Sequence, residues 1–130
     1  TMVEPARYAS GRFAAAGQPV WHYHFGYVAE SMRKEWPGAP HATDIPYFFN
    51  TVAAKYGDKL TAADAKAAQQ MSGYLANFVK AGNPNGGGLP AWSKFDASAP
   101  VLDFRSDGGP VSGTDPLKER LDLVEALAGK

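Results

Sequence analysis

Cysteine is absent from the 130 residues, which removes disulfide frames, thiolate metal sites and thiol nucleophiles together and leaves the redox compartment open. Long apolar runs are missing too: no stretch approaches the roughly 20 residues that span a bilayer. Neither sign of charge is in excess, with thirteen Lys and Arg against thirteen Asp and Glu. No basic run is long enough to track a phosphate backbone, so neither nucleic acid nor membrane is an expected partner. The opening Thr1-Met2-Val3-Glu4-Pro5 lacks both the charged and the apolar region of a signal peptide. A Thr ahead of the first Met is read as a cleavage or engineering boundary rather than a natural start. Internal repeats and low-complexity tracts are also missing.

What is present fits a soluble folded chain of one-domain length, 45% hydrophobic and 20% charged. From Glu4 to about Ala16 the pattern is Ala-rich and helical, with Pro5 near the start and Gly17 as the stop. Residues 19–28 are β-branched and aromatic. They predict a strand with Trp21, Tyr23, Phe25 and Tyr27 on one face and Val20, His22, His24 and Gly26 on the other. Both faces look covered, as they are in strands inside α/β sheets.

Residues 30–43 read as an extended loop, left through a short apolar helix or turn at Ile45 to Phe49. Thr61-Ala-Ala-Asp64 resembles a capping box and opens a helix whose stripe is Ala68, Met71, Leu75, Phe78 and Val79, ending at Gly82. Val101 to Phe104 suggests a short strand. Asp115-Pro116 starts a last helix with Leu117, Leu121, Val124 and Leu127 on its buried side. The fold class is therefore α/β, with few strands, flanking helices and a sheet that is incomplete in this chain. A strand covered on both faces needs neighbours that the remaining segments do not supply.

Three groups could carry chemistry. His41 lies in Trp36-Pro-Gly-Ala-Pro-His41-Ala-Thr-Asp44, a loop beyond a strand, where α/β folds collect functional groups. It reads either as a general base or as an ordinary loop histidine. His22 and His24 form a His-x-His pair that could ligate zinc with Asp44 as a third ligand, or could simply pack on a strand. No segment reads Gly-x-Ser-x-Gly; Ser10 and Ser72 lie in helical patterns and Ser112 in a Gly-rich loop, poor places for a serine nucleophile. On the residues alone the chain offers a base without a nucleophile.

Read in order, the chain resembles the C-terminal quarter of the type-B carboxylesterases, the family of para-nitrobenzyl esterases and cholinesterases. Glu4-Pro-Ala-Arg7 and the strand Pro19-Val-Trp-His-Tyr-His-Phe25 resemble two of its segments. Gly38-Ala-Pro-His41-Ala-Thr-Asp44-Ile-Pro-Tyr-Phe-Phe49 is similar to its histidine motif, Gly-Ala-x-His-Gly-x-Glu with Ile-Pro-Tyr-Val-Phe after it. Tyr74-Leu-Ala-Asn77-Phe78-Val-Lys-Ala-Gly82-Asn83-Pro84-Asn85 resembles a further stretch, and Pro90-Ala-Trp92 matches more loosely.

The resemblance implies that residues 1–130 are the C-terminal part of an α/β-hydrolase domain that cleaves small-molecule carboxylic esters without metal or cofactor. His41 takes the place of the triad base, and Asp44 stands where the family has a supporting Glu. Ala42 replaces the common Gly and Leu75 a frequent Trp. By the family's order of Ser, acid, His, the nucleophile and the acid lie upstream of Thr1, so the missing N-terminal part of the same enzyme is an expected partner.

Two rival classes stand beside this reading. One is a non-catalytic binding or assembly module derived from the same fold, which would self-associate through its exposed apolar surface. The other is a metal-binding domain using His22, His24 and His41. The first prediction follows from the missing elbow: the chain by itself has no serine esterase activity, because a base alone lacks the covalent step. Turnover of p-nitrophenyl acetate that a serine-directed organophosphate abolishes would overturn it, whereas slow hydrolysis by exposed imidazole would not.

Overall fold

Backbone pairing starts from a single short ladder. The computed structural model describes residues 3–40, 42–96, 98, 100–106, 109–114 and 118–128. Its strands are β1 (Tyr23–Phe25), β2 (Pro100–Phe104) and β3 (Pro110–Thr114), in the order β1-β2-β3. Leu102 N donates to His22 O and Gly26 N to Phe104 O, so both strand numbers rise together and β1 runs parallel to β2. β3 follows β2 through residues 105–109, a connection short enough only for an antiparallel return. The long crossover from β1 to β2 holds the helices α2 (Ile45–Phe48), α3 (Val52–Tyr56) and α4 (Ala62–Ala81). Helix α1 (Val3–Ala15) precedes the sheet and α5 (Lys118–Ala128) follows it. This is a partial α/β fold with a small mixed sheet.

The described chain forms two compact units. The first comprises Thr1–His24, Trp92–Asp103 and Val111–Lys130, the second Phe25–Ala91 and Phe104–Pro110. In the first unit α1 packs on α5 through Arg7, which is almost buried and reaches Asp122 at 2.9 Å and Glu125 at 2.8 Å. Burial works against the Arg7 charge, but Glu125 and Asp122 outweigh it and hold the guanidinium above its ordinary pKa. Val101, Leu102, Trp92, Phe95 and Leu121 are the buried apolar groups here. Trp92 Nε1 donates to His22 O at 3.0 Å, which draws the loop after α4 onto the approach to β1.

The second unit is built on α4. Thr61 Oγ1 accepts from Asp64 N and Asp64 Oδ2 accepts from Thr61 N, each at 3.2 Å, so the expected capping box forms. Gly82 ends the helix in the left-handed conformation, φ 70°, where a side chain would be strained. Ala67, Ala68, Met71 and Tyr74 form the buried face, together with Asp64 itself. The sequence stripe is rotated from this: Phe78 and Val79 are exposed. Small alanines let neighbouring chain approach α4 closely, and its last turn runs past the core.

Three other expectations are corrected. The strand foreseen over residues 19–28 is limited to Tyr23–Phe25 and sits at a sheet edge, with residues 20–26 half-buried. Beyond it side chains take over the backbone: Val28 N donates to Ser106 Oγ at 3.1 Å and Val28 O accepts from Arg33 Nε at 3.1 Å. Ser112 lies in β3, not a loop, and its Oγ accepts from Ser93 N at 2.9 Å. On α5 only Leu121 of the foreseen face is buried, while Val124 and Leu127 are exposed; Leu117 lies outside the described residues.

The Arg7 pairing generates a pH prediction. Hydrogen bonds from Lys118 and then Arg7 hold the Asp122 carboxyl below its ordinary range. A depressed carboxylate stabilises the folded state above its unfolded pKa of about 3.9, and that contribution is lost as pH falls through the folded value. Asp122→Asn should therefore shift the urea midpoint at neutral pH and make no difference well below pH ~3. An equal shift at both pH values would assign the effect to packing.

Candidate functional site

Local hydrogen bonds build the turn in which the histidine motif falls. Thr43, which is buried, donates from Oγ1 to Pro40 O at 2.7 Å, and Thr43 N reaches the same carbonyl at 3.3 Å. Asp44 then takes the N-cap position of α2, with Pro46 in the first turn, where its missing N–H costs nothing. Asp44 O accepts from Tyr47 N at 3.0 Å and Phe48 N at 3.1 Å, while its half-buried side chain makes no cap to the helix. His41 lies outside the described residues; its neighbours Pro40 and Ala42 do not.

Ala42 adopts φ 66°. That is the left-handed region, in which a Cβ crowds the backbone and glycine does not. The Gly of the related motif has a physical explanation here, and its exchange for Ala is not conservative in backbone terms. The turn holds the conformation in spite of it because Thr43 and α2 fix the residues that follow.

Behind α2 stands an aromatic cluster. The Tyr47 ring lies 5.2 Å from Phe25 and 5.3 Å from Tyr27, and Phe104 stacks on Phe25 at 5.8 Å. Tyr27 Oη donates to Asp64 Oδ1 at 2.8 Å, and Arg33 lies over the Tyr27 ring at 5.7 Å. Burial first, then the bond to Asp64, pushes the Tyr27 phenol well above its usual range. Burial does the same to Tyr47. Tyr56 is its polar neighbour: burial raises the Tyr56 phenol, and the phenol of Tyr47 acts on it in the opposite sense, lowering it. The capping-box spacing made Asp64 visible as a helix cap, but nothing in the sequence marked it as a buried acceptor.

The other candidate histidines are engaged within the first unit. His22 Nδ1 shares a 2.9 Å hydrogen bond with Ser10 Oγ, its direction set by the tautomer, and its ring lies 5.7 Å from Phe95. His24 Nδ1 lies 3.4 Å from Asp103 Oδ1. No group of three or more metal-ligating side chains occurs among the described residues, nor is any described helix long and apolar enough to cross a membrane. A cleft of about 610 Å3 lies beside Arg7 and Arg12 in the first unit, and one of about 510 Å3 beside Lys66 and Arg105 in the second. Asp44 lines neither.

A parallel strand pair joined through helices, with a third strand returning antiparallel, defines an α/β protein. The model of the carboxylesterase family matches residues 1–119, and the chain belongs to that family. It is 32% identical to human (Homo sapiens) cocaine esterase over 95 residues, covering 71% of this chain and 17% of that protein. It is 36% identical to carboxylesterase 4A of Bos taurus over 91 residues, 68% of this chain and 16% of the relative. With carboxylesterase 1D of Rattus norvegicus the identity is 30% over 108 residues, 81% and 18% of the two chains. The chain thus spans about one sixth of the length of these curated relatives.

The positive φ at Ala42 has a consequence for stability. Ala42→Gly should stabilise the chain by about 1 kcal/mol by relieving the left-handed strain. Ala42→Val should destabilise it by more, since a β-branched residue fits that region worst. Urea unfolding followed by tryptophan fluorescence measures both, and a destabilised Ala42→Gly would refute the strain.

Proposed function

We propose that residues 1–130 are the C-terminal part of the α/β-hydrolase domain of a serine carboxylic ester hydrolase of the para-nitrobenzyl esterase and cholinesterase type. The observation that carries this reading is the family match over residues 1–119, which takes in the motif Gly38 to Phe49. His41 is the general base. It accepts the proton of a serine hydroxyl as the oxygen attacks the ester carbonyl, then returns that proton to the departing alcohol. In the second half it takes a proton from water, which hydrolyses the acyl-enzyme. Asp44, one methylene shorter than the Glu of the related motif, supports the base from the start of α2. The substrate is a small-molecule ester, and the steps use no metal or cofactor.

The serine, the triad acid and the oxyanion donors come from the N-terminal part of the same enzyme. The surface supports a partner of this kind. Large apolar side chains stand in water on α1 (Phe13), on α4 (Val79) and on α5 (Leu123 and Leu127). β1 is an edge strand with one neighbour among the described residues, and open edges recruit further strands.

In the full-length enzyme, His41→Gln should lower kcat by on the order of a thousandfold or more while the protein stays folded. Near-wild-type turnover would remove His41 from the mechanism. The rival assembly module is distinguished by the polypeptide that precedes this chain. A Gly-x-Ser-x-Gly elbow there supports the hydrolase, and its absence, with self-association in sedimentation, supports the module.

A further inference from the structure

Asp64 is more deeply placed than a helix cap requires. A capping carboxylate does its work at the surface, where water hydrates the remaining lone pairs. Asp64 is fully buried, and burying a carboxylate is costly unless donors replace the lost water. The donors are Thr61 N on Oδ2 and, on Oδ1, Glu30 N at 3.2 Å and the Tyr27 phenol at 2.8 Å. The cap uses only the first. The other two come from the segment that follows β1, and they hold the Tyr27 ring in place.

That ring meets Tyr47 edge-on at 5.3 Å. Tyr47 is wholly enclosed. Its backbone N–H is bonded to Asp44 O, which ties the ring to the end of the turn braced by Thr43. The chain of contacts therefore runs from the Asp64 carboxylate through Tyr27 and Tyr47 to α2, and from α2 to the turn braced by Thr43 and Pro40. Each step is stiff: a charge-assisted hydrogen bond, an aromatic contact in a closed core, and a single helical turn.

We infer that Asp64, acting through Tyr27 and Tyr47, is a positioning residue that sets the place of Ala42–Asp44, the residues that follow His41 in sequence. The inference rests on the reading of His41 as base, but part of its test does not. In the chain as it stands, the three histidines are observable by their imidazole proton resonances. Tyr27→Phe, which removes one bond and no packing, should shift or broaden the His41 resonances. Unchanged His41 resonances would overturn the inference whatever the enzyme does.

In the full-length enzyme, Tyr27→Phe and Asp64→Asn should lower kcat for p-nitrophenyl acetate on the order of ten- to a hundredfold, with KM within about twofold. The rate of organophosphate labelling should fall by the same factor. Combined with His41→Gln, Tyr27→Phe should cause no further loss, because it works only through that residue. Wild-type kcat in folded Tyr27→Phe, or a loss that persists in full in the His41→Gln background, would show that Asp64 is structural only. If Asp64→Asn fails to fold, Tyr27→Phe decides. Should His41→Gln itself keep wild-type activity while Tyr27→Phe moves the His41 resonances, the base assignment fails and the positioning contact stands.

Discussion

A carboxylate without water has to be met by donors held in place for it, and Asp64 takes three of them from two separate stretches of the second unit. The amide of Thr61 belongs to the start of α4, the amide of Glu30 to the 3-10 turn at Glu30–Met32, and the phenol to Tyr27. Removing any one leaves an acceptor short in a closed environment, a larger loss than that of an ordinary surface bond. Glu30 reinforces the arrangement by accepting from Thr61 Oγ1 at 2.6 Å. The aromatic cluster then inherits its geometry from this node, since Tyr27 cannot turn without abandoning Asp64.

The turn of the histidine motif shows two scales of control. Its shape is local: Thr43 closes onto Pro40, Asp44 begins α2, and Ala42 is driven to positive φ between them. Its location is not local, because α2 is placed by Phe25, Tyr27 and Tyr47. For the proposed role of His41 as a base both would matter, as an error of about 1 Å in the position of such a group can cost a hundredfold in rate. The positive φ of Ala42 is one cost that the packing around α2 must overcome.

The loop after α4 repeats the logic at a smaller scale. Tyr74 donates to Pro90 O at 2.6 Å, and burial raises its phenol to about 12. Asn77 donates to Pro84 O at 3.0 Å, inside the Tyr74 to Asn85 stretch whose resemblance was noted in the sequence. These side chains satisfy backbone carbonyls that a loop rich in Gly and Pro cannot pair with one another.

Elements whose signals are local were legible in the order of residues. The capping box and Gly82 delimit α4, Pro46 and the apolar Ile45 to Phe49 mark α2, and the Ala-rich opening is α1. Strand β3 was hidden, since Pro-Val-Ser-Gly-Thr has little β-propensity and forms only because β2 offers a partner. The buried face of α4 was misread for the same kind of reason: periodicity names an apolar stripe, but what packs against the helix chooses the face. So the sequence by itself determined where helices begin and end, through caps, prolines and glycines acting over a few residues. Tertiary structure alone decided that Asp64 is buried and that Tyr27 donates to it. Those states depend on groups far apart in the chain excluding water together, which no local pattern encodes.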